Sequence, residues 1–277
     1  MAAYKPSSHT EPRAAAWLKS LLEQSESARL GHLDLLVNTS RLDYSLPEHL
    51  QALAVPPQLA PLLEHTPEVA IADKGPLLVR IDLAVNDQRA WLAECLTQMY
   101  SQRRILVIHS RWPFAVLTKH LRCCTQAEWN QGNTTGLLRY FDPRLFLATC
   151  EMLDAAQSRG FHAPALSWHW IDRDDKPARL DGYAVPPQDA KPLVLRLSNA
   201  QVATLMAWTN AEMFRQNYAL EPAQYGQLNR EGLMRHLMHA QLAADRGSCF
   251  DDSREVFIHN WLVRHSATAP DLSELQG

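Results

Sequence analysis

Residues 136–153 read GLLRYFDPRLFLATCEML. Gly136 to Phe141 carries the short apolar pattern of a buried strand, and Asp142, Pro143 and Arg144 turn it directly into a helix. An Asp at the N-cap accepts hydrogen bonds from the first free amides of a helix. A Pro at the next position loses nothing by lacking its own N–H. Local chemistry therefore predicts a strand-to-helix joint here. Upstream of it the same alternation recurs and downstream it stops, so the joint reads as the last full unit of an α/β domain.

Working outward, three apolar runs precede the joint. Leu33 to Thr39 reads as a first strand, Pro76 to Leu83 as a second and Ile105 to His109 as a third. A helix capped at Asn86 or Asp87, with Trp91, Leu92, Cys95, Leu96 and Met99 at helical spacing, separates the second from the third. Another, through Phe114, Leu117 and Leu121, follows the third. Five prolines break up residues 46–67. Beyond the joint, Ala165 to Ile171 reads as a final strand. This order predicts an α/β fold with a mostly parallel or mixed sheet flanked by helices. Four regions follow: a lead-in and helix at 1–32, the α/β domain at 33–171, a charged Pro-rich linker at 172–192, and an all-helical C-terminal lobe at 193–277. Helices in that lobe are expected from Ser198 or Asn199, from about Asn229, and from near Asp251, with residues 266–277 as a frayed end.

Length and composition bound the function. A chain of 277 residues suffices for one large or two modest cores. Its formal net charge of -3 offers no general pull on nucleic acid or an acidic membrane. The five cysteines are odd in number and scattered, which argues against a disulfide framework and for a reducing, cytoplasmic setting. No run approaches the roughly 18 apolar residues of a membrane span, and the N-terminus MAAYKPSSHTEP lacks an apolar signal core. Eight tryptophans supply either core volume or partner-facing anchors.

Signatures of catalysis are sparse. The spacing of the ten glycines leaves no dinucleotide fingerprint and no phosphate-cradling loop, and GxSxG and HExxH are absent. His236 and His239 lie three apart on a helix, with His259 and His265 on the next, yet no carboxylate or Cys stands at a diagnostic spacing beside them. Cys123 and Cys124 are adjacent rather than in a CxxC pattern, and Cys95, Cys150 and Cys249 border apolar helix faces. No metal and no cofactor is assigned. Arg139, Asp142 and Arg144 form the most informative charged cluster, because an arginine on a buried strand must find a partner. Asp142 either caps and pairs internally, or the cluster contacts another molecule. A rival reading places a hydrolase or metal site at the sheet's edge near His109, Ser110 and Asp142.

Two segments carry a family resemblance: ILVIHSRWPFAVLTKHLRCC at 105–124 and LLRYFDPRLFLATCEML at 137–153. Together they resemble the core of the type VI secretion effector chaperones or adaptors, the Tap or TEC proteins. The shared features are a strand ending in Ser110, a helix bearing His120, Leu121 and Arg122, and an aromatic strand closing on Asp142, Pro143 and Arg144 beside Arg139. The resemblance implies a non-catalytic cytoplasmic protein that holds a cognate toxic effector and helps load it onto the VgrG spike; charge and hydropathy already leave out nucleic acid and membrane, and no cofactor is assigned. Such a role needs apolar footholds for a partner, and Trp208, Met213, Met234, Met238 and Trp261 on the C-terminal helices are the candidate anchors.

Overall fold

The computed structural model describes residues 10–40, 42–227, 229–247 and 251–265. Two compact units divide between Arg196 and Leu197. In the first, the order is α1 (Thr10–Ser27), β1 (His32–Asn38), α2 (Leu46–Gln51), β2 (Gln58–Pro61), β3 (Pro76–Asp82), α3 (Asn86–Met99), β4 (Ile105–Ser110) and α4 (Phe114–Cys124). It continues through β5 (Gln126–Trp129), β6 (Thr134–Leu137), α5 (Pro143–Met152), α6 (Ala155–Phe161), β7 (Ala165–Ile171), β8 (Pro177–Asp181) and β9 (Leu195–Arg196).

Six strands form the main sheet in the order β2-β3-β1-β4-β7-β8. Every neighbouring pair in it is antiparallel, which overturns the expectation of a mostly parallel or mixed sheet. The reason lies in where the connections end. β1 finishes at Asn38 opposite Pro76, where β3 begins, so residues 39–75 return to the end of the sheet they left. Likewise β4 finishes at Ser110 opposite Ala165, where β7 begins, and the long excursion through α4, β5, β6, α5 and α6 closes on itself. Two connections carry the chain across the sheet. Residues 39–57, with α2, join β1 to β2, which run in the same direction with β3 between them. The other crossing is made by α3, which joins β3 to β4; these too run in the same direction, and β1 fills the slot between them. A smaller sheet, β6-β5-β9, is antiparallel between β5 and β6 and parallel between β5 and β9.

Both faces of the main sheet are buried, as period-2 alternation requires of a two-sided core. One face presents Leu33, Leu35 and Val37 of β1, Leu77, Val79 and Ile81 of β3, and Ile105 and Val107 of β4. Trp17 and Leu21 of α1, Leu50 of α2 and Leu92, Leu96 and Met99 of α3 pack against it. On the other, Trp168 and Trp170 of β7 meet Phe146 of α5 at ring distances of 5.1 and 5.0 Å, and Phe161 of α6 stacks on Trp168 at 5.9 Å. Each such side chain contributes roughly 1.5–3 kcal/mol by leaving water.

Two local expectations need correction. The strand assigned to Gly136–Phe141 is β6, which begins earlier and ends at Leu137. Leu138, Tyr140 and Phe141 are buried all the same, because the chain turns there: Asp142 N bonds Arg139 O at 3.1 Å and the Tyr140 hydroxyl donates to Leu121 O at 3.0 Å. Burial by a turn leaves the same apolar signature as burial by a strand. The stretch 172–192 is no free linker, since β8 pairs with β7 from Ile171↔Pro177 to Ser167↔Asp181. Beyond β8, Tyr183, Ala184 and Val185 bond back to His162, Ala165 and Ala163.

The second unit holds α7 (Asn199–Asn217), α8 (Arg230–Arg246) and α9 (Asp251–His265). Ser198 caps α7 in a box with Gln201, and Asn229 caps α8 by accepting from Gly232 N at 2.7 Å. Its interior is built from Trp208, Ala211, Leu233, Met234, Leu237, Met238, Ile258 and Leu262. Cys249 and residues 266–277 lie outside the described residues.

Candidate functional site

The motif residues singled out from the sequence fall in separate places on the first unit. Ser110 ends β4, donates its hydroxyl proton to Pro164 O at 2.7 Å and accepts from Trp112 N at 3.1 Å. On α4, His120 bonds Phe161 O through Nε2 at 3.2 Å, so Nε2 carries the proton; burial lowers its pKa. Leu121 is core, and its carbonyl takes the Tyr140 hydroxyl. Arg122 reaches the far end of β2, with Nε on Leu62 O at 3.4 Å and Nη2 on Pro61 O at 3.3 Å. Each of the three polar side chains is thus tied to backbone carbonyls distant in sequence, as buried polar groups require.

Asp142 occupies the N-cap of α5 with Pro143 beside it. Its Oδ1 accepts from Arg144 N at 3.1 Å and Arg144 Nε at 2.9 Å, and its Oδ2 from Arg144 Nη2 at 2.7 Å and, more loosely, Arg139 Nη2 at 3.4 Å. The carboxylate is buried, while Arg139 stays half exposed. Arg144 O in turn receives Arg173 Nη2 at 2.6 Å.

This geometry separates the three residues of the rival hydrolase reading. His109 and Ser110 are consecutive in a strand and so face opposite sides of the sheet. Ser110 sits at the Ala165 end of β7, whereas Asp142 belongs with Arg144 and Arg173 beyond the other end of that strand. His109 is spent beneath α1. Its Nε2 lies 3.2 Å from Leu21 O and 2.9 Å from Ser25 Oγ, which makes Nε2 the protonated nitrogen. Nδ1 accepts within a triangle formed with Ser167 Oγ at 3.2 Å and His169 Nε2 at 3.0 Å. Burial first, then the neighbouring positive groups, pushes His169 down to about 3, and burial lowers His109 as well. The pair is neutral at pH 7.

Sequence reasoning missed the other polar cluster of the main sheet. Asp34 of β1 is fully buried on the opposite face and accepts Arg80 Nε and Nη2, each at 2.7 Å. The same guanidinium donates to Trp112 O at 2.9 Å and lies over the Phe114 ring at 5.5 Å. Burial raises the Asp34 pKa against the opposing pull of Arg80. A signal for it existed: one Asp in LDLLV and one Arg in LLVRI, each inside an apolar strand, each in need of a partner.

Among the described residues no group of three or more His, Cys, Asp or Glu is placed to hold a metal ion. His259 sits among Phe214, Tyr218 and Tyr225, and His265 stacks on Trp261 at 3.9 Å. Burial raises the thiol pKa of Cys95, Cys124 and Cys150, which disfavours the thiolate a nucleophile needs. Of the candidate anchors, Trp208, Met234 and Met238 are buried in the unliganded chain. Trp261 is partly covered, and Met213 is 52% exposed beside Met206 on the same face of α7.

Residues 35–160 match the family model of a domain of unknown function, DUF4123. That domain is associated with type VI secretion effector adaptors. The DUF4123 match opens inside β1 and closes in α6, so it contains Ser110, His120, Arg122 and the Asp142 joint. It stops before β7, β8 and the second unit. No curated protein and no solved structure matches the chain. Among the described residues no helix is long and apolar enough to cross a membrane.

Proposed function

We propose that this protein is a type VI secretion effector adaptor: it holds a segment of one cognate effector in the cytoplasm, helps load it onto the VgrG spike, and makes or breaks no bond itself. The observation that carries this reading is the DUF4123 match at 35–160. What its polar side chains do supports it. Ser110, His120 and Arg122 each grip backbone carbonyls distant in sequence, and Asp142 is spent on its helix cap and two arginines. A scaffold that keeps its shape while unliganded loses little on binding, which is what a carrier of a larger protein needs. Exposed Met206 and Met213 add adaptable apolar contact.

Co-purification tests the reading. The tagged full chain, expressed with the effector and the VgrG protein encoded beside it, is expected to retain the effector through gel filtration. Retention of neither protein would end the proposal.

A further inference from the structure

The sheet edges of the first unit are not alike. In an antiparallel ladder, alternate residues turn both N–H and C=O toward the neighbour and the rest turn them outward. On β2, the bond from Leu62 N to Pro76 O sets the phase, so Pro57, Leu59 and Pro61 face outward. Two of these three have no N–H, and Arg122 occupies the carbonyl of Pro61. On β8, the bond from Gly182 N to Leu166 O places Pro177, Arg179 and Asp181 outward. One lacks a donor, and the other two carry exposed, mutually paired charges. Prolines and charges are the devices that keep an edge from recruiting another strand.

β6 has neither. Leu138 N bonds Thr125 O at 2.8 Å, in register with the β5–β6 pairs, so Thr134 and Gly136 face β5 while Thr135 and Leu137 face outward. Two N–H and two C=O groups therefore line an uncharged edge, TTGL, and among the described residues nothing pairs with them. Thr135 is exposed. A Cβ on Gly136 would stand 2.6 Å from the Trp129 ring, so the indole lies across the strand at its one bare position. A chain added alongside meets backbone partners at the edge and an aromatic surface beside Gly136.

We infer that β6 is the docking edge for an extended, uncharged segment of the effector, which adds to the small sheet as a further strand with an apolar side chain against Trp129. Backbone groups spaced in this way are complementary to a strand and to no other secondary structure. The inference rests on the adaptor reading above and says which surface does the holding.

Thr135→Pro tests it, because the substitution removes one outward N–H and no bond to β5. With the tagged full chain and the co-expressed neighbouring effector, wild type is expected to retain the effector and Thr135→Pro to retain at least tenfold less, with an unchanged melting temperature. In the wild-type complex, amide exchange at Thr135 and Leu137 is expected to slow at least tenfold relative to the free chain. That measurement decides the matter should the proline variant fail to fold. Equal retention by both chains, or unprotected amides in a complex that does form, would overturn the edge while leaving the adaptor reading intact. A wild-type chain that retains no effector fails the adaptor reading, and the edge assignment with it. A wild-type homodimer that Thr135→Pro dissolves, with effector retention unaffected, would give the edge to a second copy of this chain instead.

Discussion

The main sheet buries a polar cluster on each face, and the two are built on opposite principles. Beneath α1, His109, Ser167 and His169 share protons as neutral groups. On the other side, Asp34 and Arg80 meet as full charges with two bonds of 2.7 Å. A neutral network loses a hydrogen bond or two when one member goes. A buried ion pair leaves behind a naked charge. The first therefore tolerates substitution and responds to acid, whereas the second tolerates acid better than substitution.

The strongest way to break that contrast is Arg80→Met. It strands the Asp34 carboxylate and is expected to destabilise the first unit by about 3–5 kcal/mol in urea unfolding. Adding Asp34→Leu is expected to recover most of that loss, since an apolar pair needs no compensation; a double variant as unstable as the single would show that the pair is a net stabiliser. Acid is the second lever. His169 and His162 are held down to about 3 and about 4, against 6.5 in the unfolded chain. Between those values the unfolded state binds protons that the folded state refuses. Their contribution is complete above pH 6.5 and is lost as pH falls toward 4 and then 3. For His169 alone the loss is on the order of 2 kcal/mol by pH 5, and His169→Gln is expected to flatten the urea midpoint against pH. The smallest effect belongs to a buried carboxylate whose two arginines are themselves partly exposed. Asp142→Ala removes a helix cap whose arginine partners reach solvent, so about 1 kcal/mol, read as a lowered melting temperature, is expected. A loss as large as that of Arg80→Met would erase the distinction between a carboxylate whose arginine is enclosed and one whose arginines reach solvent.

Much of this was open to reading from the chain alone, and the limits have physical causes. β1, β3, β4 and β7 coincide with apolar runs because both faces of the main sheet are covered. β2, β5 and β8 escaped notice: QLAP, QAEW and PARLD are short, and prolines or charges hide their period. Strand direction was misjudged because a helix between two strands looks the same whether it crosses the sheet or is one leg of an excursion that returns. The Asp142 cap depends on neighbours in sequence and was legible. The Asp34–Arg80 pair joins residues 46 positions apart, so only the oddness of each charge in its own strand pointed to it. For Trp208, Met234 and Met238 the sequence left core and partner contact both open, because the same helical stripe serves either equally well; in the structure they are buried.

β1 leaves the ribosome before β3 and β4, yet it lies between them. Its hydrogen bonds on one side wait for residue 82 and on the other for residue 110. Until synthesis has passed both, the segment LDLLVNT is a sticky ribbon with two open sides, so truncations before Ser110 should be insoluble rather than smaller folded versions of the domain.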